Sequence, residues 1–374
     1  MEEKLSLYIH IPFCAHLCDY CDFFSVMAKD VSDEYIDRFL NAVVKDINYQ
    51  LEYFNVKEIP TVYIGGGTPS VLGQRIAVLF DVLKRNNFSP VEFTVEANPE
   101  SVTEEFLEVC LEGGVNRLSL GVQTFYEPSR ILVNRTASDV IRERLALASR
   151  FFPKAISVDL ITGLPLQTEK IVLDDIKRIL DFTPAHVSLY SLITESGTNL
   201  NRKIKEKKII LPDNDSSDSL WLASCDALKD AGFRHYEVSN FARNGSECLH
   251  NIRYWRMEGW LGAGPAASGT VIDEKNGKAK RYTYAHDIDA YIASPEIIKA
   301  AVEDLDSAET MRESLLMGYR FCEGPDLSVF KQRFGRGIEE CIPRTLSHWK
   351  NKDKMLFLNS FLSCAFSELE ENGY

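Results

Sequence analysis

From residue 5 to about residue 232, short β-branched runs alternate with longer amphipathic stretches, and that alternation limits the possible folds more than any other feature. The runs are 5–11, 61–64, 91–96, 117–121, 156–161 and 187–192. Helical periodicity fills the intervals at 32–54, 71–86, 103–112, 137–149 and 168–181, and a sixth stretch covers 214–231. In the first of these, Ile36, Phe39, Leu40, Val43 and Ile47 fall on one helical face. Asp213 or Asn214 suits the start of the last, and Gly232 its end. Six βα units in succession predict a parallel sheet. Whether that sheet is doubly wound or curled into a barrel turns on the residues that are unusual for a core. Cys14 to Cys21 follow the first run, Gly65 to Ser70 the second, Glu96 ends the third, Gln123 follows the fourth, and Asp159 to Pro165 end the fifth. All lie at C-terminal strand ends, where barrels collect their sites, whereas an open sheet concentrates its site at one switch point. The expectation is an α/β chain with a partial (β/α)6 barrel over residues 1–232. Past residue 232 the pattern breaks: 235–239 reads as one more strand, 259–269 as a turn-rich crossing segment, and 273–280 as a polar hairpin tip. Residues 233–303 are therefore expected to be a linking segment, and 304–374 a smaller, mainly helical C-terminal domain.

The chain carries nine cysteines, an odd number that argues against a disulfide framework and for a reducing compartment. Six are scattered and suit small core positions, but Cys14, Cys18 and Cys21 sit in one run, CAHLCDYC. Three thiolates from one loop can hold one face of a 4Fe-4S cluster and leave one iron open to another ligand. The competing reading is a zinc ion completed by His10, His16 or His250, although zinc sites usually draw on cysteine pairs separated by a long gap. A net charge of −13 repels phosphate backbones, so nucleic acid is not the expected main partner. No stretch approaches the ~18 apolar residues of a membrane span, and the first residues lack the features of a secretory signal. Those absences and the reduced cysteines together suggest a cytoplasmic protein.

Gly65, Gly66, Gly67, Thr68 and Pro69 follow directly on the second strand, where absent side chains let the backbone approach a ligand closely. The run YIHIPFC ending at Cys14, with Cys18 and the Tyr20–Cys21 pair, resembles the start of radical S-adenosylmethionine (SAM) enzymes. In that superfamily the open iron binds the amino and carboxylate groups of the methionine moiety. The resemblance is closer to the branch containing oxygen-independent coproporphyrinogen III dehydrogenase, above all in DLITGLPLQT from Asp159 to Thr168, and it runs from residue 5 to beyond residue 320. It implies a TIM-like radical SAM barrel, a cluster on Cys14, Cys18 and Cys21, and SAM contacts at Tyr8, Tyr20, Gly66, Gly67, Thr68, Glu96, Gln123, Arg135 and Asp159.

Two families share this scaffold. The dehydrogenase of haem (porphyrin) biosynthesis decarboxylates two propionates to give protoporphyrinogen IX, and its pattern has a further cysteine two residues after the third ligand. Here that position holds Phe23, which resembles the haem chaperone family HemW. His250, Asn251, Tyr254 and Trp255 match that family's His-Asn-x-x-Tyr-Trp motif, and the runs from His235 to Phe241 and from Glu195 to Thr198 look similar to it as well. The chaperone resemblance implies haem as cargo, an acceptor protein of unknown identity, and the four motif residues as haem candidates. Imidazole suits axial ligation of haem iron and the two aromatics suit a porphyrin face, while the plainer reading is a packed turn with His250 hydrogen-bonded. Departures remain: Ser268 stands where relatives usually have a histidine, LVNR at 132–135 looks closer to the dehydrogenase, and the segment from Lys354 lacks the expected Leu-Thr-x-x-Gly pattern.

Overall fold

The computed structural model describes residues 4–135, 139–296 and 300–374. Its centre is a parallel array in which β1 (Ser6–Ile11), β2 (Thr61–Gly66), β3 (Glu92–Ala97), β4 (Arg117–Gln123), β5 (Ile156–Thr162) and β6 (His186–Ser191) pair in sequence order. Each is buried along most of its length, because helices cover one face and the barrel interior the other, and the polar residues among them, such as Glu96 and Asp159, face the interior site. These are the six strands read from the sequence, shifted at their ends by a residue or two.

The stretch expected to be a linking segment carries strands of its own. It contributes β7 (Arg234–Glu237), β8 (Asn240–Ala242), β9 (Trp260–Ala263), β10 (Ser268–Asp273), β11 (Lys278–Thr283) and β12 (Ala301–Leu305). Together they extend the array to twelve strands in the order β12-β11-β10-β9-β1-β2-β3-β4-β5-β6-β8-β7. The segment 259–269, read as a crossing, supplies β9, which lies parallel to β1 with Tyr8 opposite Gly262 and Ile9 opposite Ala263. Its glycine and alanine content hid it: Leu261 and Ala263 are fully buried, and small side chains suit a strand covered on both faces, but β-branched residues are scarce there. The polar tip at 273–280 does join β10 and β11 as a hairpin.

Helix Asp33–Tyr53 starts where Ser32 accepts a hydrogen bond from the Tyr35 amide, and it buries the five apolar residues singled out from its periodicity. Asp46 on the same face accepts hydrogen bonds from Gln50 of its own helix (2.8 Å) and from Tyr284 (2.5 Å) and Tyr291 (2.6 Å), and the two tyrosines tie this helix to the segment that follows β11. The expected helix 71–86 is two pieces, because Pro69 opens a 3-10 stretch to Ile76, Gly73 at φ +54° breaks it, and the α-helix is Ala77–Arg85. The expected helix 137–149 begins outside the described residues and is seen as Ile141–Phe151. Asp213 caps helix Asn214–Asp230 by accepting from the Ser216 amide. From Ser307 onward the chain is helical around a separate core that includes Leu315, Phe330, Ile342, Trp349 and Phe361. No helix among the described residues is long and apolar enough to cross a membrane.

Candidate functional site

The C-terminal ends of β1 to β5 open onto one mouth, and the cysteine loop lies across it. A two-residue pairing of Phe13 and Cys14 with Val26 and Met27 closes the base of the loop. Its outer turn is pinned from two sides. Asp19 is 4% exposed, donates its amide to Val133 O at 3.0 Å and pairs with Lys203, while Asn134 Nδ2 donates to Leu17 O at 2.8 Å. Burial raises the Cys14 thiol, and it pushes Cys21 up to about 11. Thiols so placed stay protonated unless a metal or another positive charge meets them, which is the demand an iron–sulfur cluster satisfies.

The glycine run forms the adjoining shelf. Gly67 donates to Ile11 O at 2.8 Å, and a Cβ there would sit 2.7 Å from Ile11 O and Phe13 O and 3.1 Å from Cys14 Sγ, so only glycine lets the shelf meet the loop. Thr68 continues the contact, donating its amide to Phe13 O at 2.7 Å. Glu96 at the end of β3 accepts from Tyr63 Oη at 2.7 Å and from the Gly66 amide at 3.1 Å. Desolvation pushes its carboxyl up to about 7 despite those donors. Asp159 on β5 is likewise raised by burial, and it accepts from Ser119 Oγ at 3.2 Å. Tyr8 and Tyr20 are half-buried residues whose phenols desolvation holds above their ordinary range. Tyr8 Oη bonds His10 Nδ1 at 3.1 Å while His10 Nε2 donates to Phe24 O at 2.9 Å, and burial lowers the imidazole below its ordinary value although the Phe24 bond opposes this. Gln123 ends β4 at a register shift with φ +69°, a strained position for a residue other than glycine.

Two buried atoms at this mouth, Gln123 Oε1 and Arg135 Nε, have no hydrogen-bond partner. Unpaired buried polar groups are costly, and a polar ligand placed here would satisfy them. The donor set, the close-fitting glycine shelf and these unpaired atoms fit a cubane cluster with SAM beside it. Among the described residues no three His, Cys, Asp or Glu side chains, the three cysteines included, converge as closely as the ligands of a single ion do. His10 is engaged as described, His16 is exposed, and His250 is elsewhere.

His250 lies at the opposite, N-terminal end of the barrel strands. Its ring is 1% exposed, with Nδ1 bonded to Thr61 Oγ1 and Nε2 to Tyr254 Oη, both at 2.9 Å. Glu92, at the start of β3, accepts from the amides of Leu249 (2.8 Å) and His250 (2.9 Å) and so caps helix Leu249–Trp255. The packed reading is thus the arrangement present, and no ring nitrogen of His250 is free to bind iron. Burial drives the imidazole down to about 3, so it stays neutral. Asn251 and Trp255 are half-buried on the same short helix, and the Arg320 guanidinium lies 5.1 Å from the Trp255 ring centre. The sequence reading missed Asn98, Lys203 and Asp19. Only Asn98 carried a signal, standing two residues beyond Glu96 and therefore on the same side of the extended chain.

A partial parallel barrel whose mouth combines a three-thiol loop with a glycine shelf defines a radical SAM protein, and a sequence model of the Radical SAM superfamily matches residues 8–179. The Escherichia coli enzyme described as coproporphyrinogen III oxidase (HemN), a radical SAM enzyme, superposes with a TM-score of 0.79 over 97% of this chain and 90% of its own, at 22% identity. That likeness concerns the fold. The "Heme chaperone HemW" of Lactococcus lactis is 32% identical over 96% of this chain and 92% of its own length. The Bacillus subtilis protein of the same name is 32% identical over 93% and 91%. A mouse protein, "Radical S-adenosyl methionine domain-containing protein 1, mitochondrial", is 32% identical over 98% and 80%. The chain belongs to the HemW family of the radical SAM superfamily.

Proposed function

We propose that this chain is a haem chaperone that binds haem and passes it to an acceptor protein. The observation that carries the reading is the 32% identity to the Lactococcus lactis heme chaperone across nearly the whole of both chains. Phe23 supports it, since the place where the dehydrogenase pattern has a further cysteine here holds an exposed phenylalanine.

In this proposal Cys14, Cys18 and Cys21 hold a 4Fe-4S cluster, and Tyr8, Tyr20, Gly66, Gly67, Thr68, Glu96, Gln123, Arg135 and Asp159 surround SAM. A bound cluster with one open iron supplies electron transfer and a site for the methionine amino and carboxylate groups. The chain's own residues shape and dry that chamber. The Gly66 amide and Tyr63 Oη hold Glu96 in place, and a carboxyl poised near 7 can accept a proton or a hydrogen bond from a ligand at neutral pH. Among the haem candidates, His250 anchors its helix to the barrel, which leaves Asn251, Tyr254 and Trp255 as the members nearest the surface. Residues 1–232 form the cofactor-binding unit on this reading, and 233–303, which carries strands of its own, joins it to the helical unit 304–374. A cytoplasmic location accords with nine free thiols.

The test is an anaerobic haem titration of cluster-reconstituted protein followed by absorbance. Saturable binding is expected. Purely linear, non-saturating uptake would defeat the chaperone reading.

A further inference from the structure

A series of side chains joins two of the three cluster cysteines. Arg135 Nη1 donates to Cys18 Sγ at 3.3 Å, and its Nη2 donates to Asn98 Oδ1 at 2.7 Å. Asn98 Nδ2 donates to Thr68 Oγ1 at 2.9 Å, and that hydroxyl donates to Cys14 Sγ at 3.6 Å. The donors are consistent along the whole series. Asn98 takes a proton from the cation at its oxygen and gives one from its nitrogen, so the Thr68 hydroxyl keeps its single proton for sulfur. A flipped amide would set its NH2 group against the guanidinium and draw the Thr68 proton away from Cys14. The backbone at Asn98 is braced as well: its amide donates to Ser70 Oγ at 3.2 Å, and its carbonyl accepts from Ser101 Oγ at 3.1 Å. Arg135 is steadied by a further bond to Gly121 O.

We propose that Arg135, Asn98 and Thr68 form a positioning relay that raises the reduction potential of the cluster on Cys14, Cys18 and Cys21, with Asn98 acting on both sulfurs while touching neither. The inference rests on the cluster proposed above. Hydrogen bonds to ligand sulfurs draw charge from a cluster and favour its reduced, more negative state. A cationic donor on one sulfur and a hydroxyl on another act in the same sense, and a charged donor is the stronger of the two. Because one amide bridges both donors, removing it disturbs Cys14 and Cys18 together.

The experiment is a redox titration of reconstituted protein, monitored by electron paramagnetic resonance without SAM, with iron and labile sulfide measured on each sample. Thr68→Val, Thr68→Ser and Asn98→Ala are compared with the unmodified chain. Asn98→Ala is expected to lower the reduced-to-oxidised ratio at fixed potential about tenfold, a fall of ~59 mV for a one-electron couple. Thr68→Val is expected to shift it less, and Thr68→Ser, which keeps the donor, to restore the unmodified value. The Thr68→Val and Asn98→Ala shifts together should exceed that of the double variant, since both cut one series. If Asn98→Ala does not fold, the Thr68→Val and Thr68→Ser pair makes the comparison. Unchanged potentials with full iron content overturn the relay and leave the cluster standing. A shift that appears only after SAM is added also overturns it, because these residues would then act through that ligand. Failure of the unmodified chain to assemble iron and sulfide overturns the cluster and the relay together.

Discussion

At the mouth of the barrel Gln123 Oε1 and Arg135 Nε are buried without a partner, whereas at the other end both nitrogens of His250 are bonded and Glu92 caps the helix that carries it. The same strands build both ends. β2 runs from Thr61, which holds the His250 ring, to Gly66, which lines the shelf; β3 runs from Glu92 past Glu96 to Ala97, and Asn98 follows it. Burial is comparable, so burial does not separate a site from a plug. Unpaired buried atoms occur at both ends, since Arg117 Nε and Trp255 Nε1 also lack partners. What separates the ends is that the His250 ring and the first amides of its helix are satisfied within the protein, whereas the mouth sets its unpaired atoms beside three thiols. The contrast also explains why a histidine motif with plausible haem chemistry can be structural in its deepest residue.

The comparison can be tested at both ends. The largest effect is expected at the mouth. Cys18→Ala should lose most of the roughly four irons of a cubane cluster, while Cys364→Ser, which changes an exposed thiol in the C-terminal helices, should keep them. Iron analysis after reconstitution decides this, and equal iron in both variants would remove the cysteine run as the cluster site.

At the far end the loss should be one of stability. Glu92→Ala strands the amides of Leu249 and His250, and each buried unpaired donor costs about 1–3 kcal/mol. Urea unfolding should show the drop, with iron content retained; lost iron at full stability would mean that the two ends are not separate. His250→Ala should cost less, about 2 kcal/mol, because Thr61 keeps its bond to Ser6 and only the Tyr254 hydroxyl loses its hydrogen-bond partner. Haem titration should stay saturable in that variant. Abolished saturation in a folded His250→Ala protein would instead return the imidazole to the haem site and break the contrast.

The smallest expected effect is a slope with pH. Burial holds the fully buried Asp46 at about 7, against about 3.9 in an unfolded chain. A carboxyl raised on folding gives stability that is complete below its unfolded value and is lost as pH rises through its folded value. Unfolding free energy should therefore decline between about pH 4 and pH 7, and Asp46→Asn should flatten that decline whatever it does to stability at a single pH. An unaltered slope would show that the three tyrosine and glutamine donors already hold Asp46 ionised.

Much of this was legible along the chain. The six parallel strands could be read because strand and helix periods repeat over a few residues, and the end that gathers the site could be read because Cys14 follows a strand and Gly66, Glu96, Gln123 and Asp159 lie in the later part of theirs. The cysteine triad is local in the same sense, being spaced within one loop. Other features depend on contacts between distant residues, and no local pattern reports them. β9 inserts beside β1 across some 250 residues of chain, disguised by glycine and alanine. Lys203 reaches Asp19 across 184 positions, and Thr61 meets His250 across 189. The bond series from Cys18 to Cys14 passes through three separate loops. Residue type and spacing determined which chemistry the chain can carry; only the packing of the strands decided which polar groups find partners in the protein and which remain for a ligand.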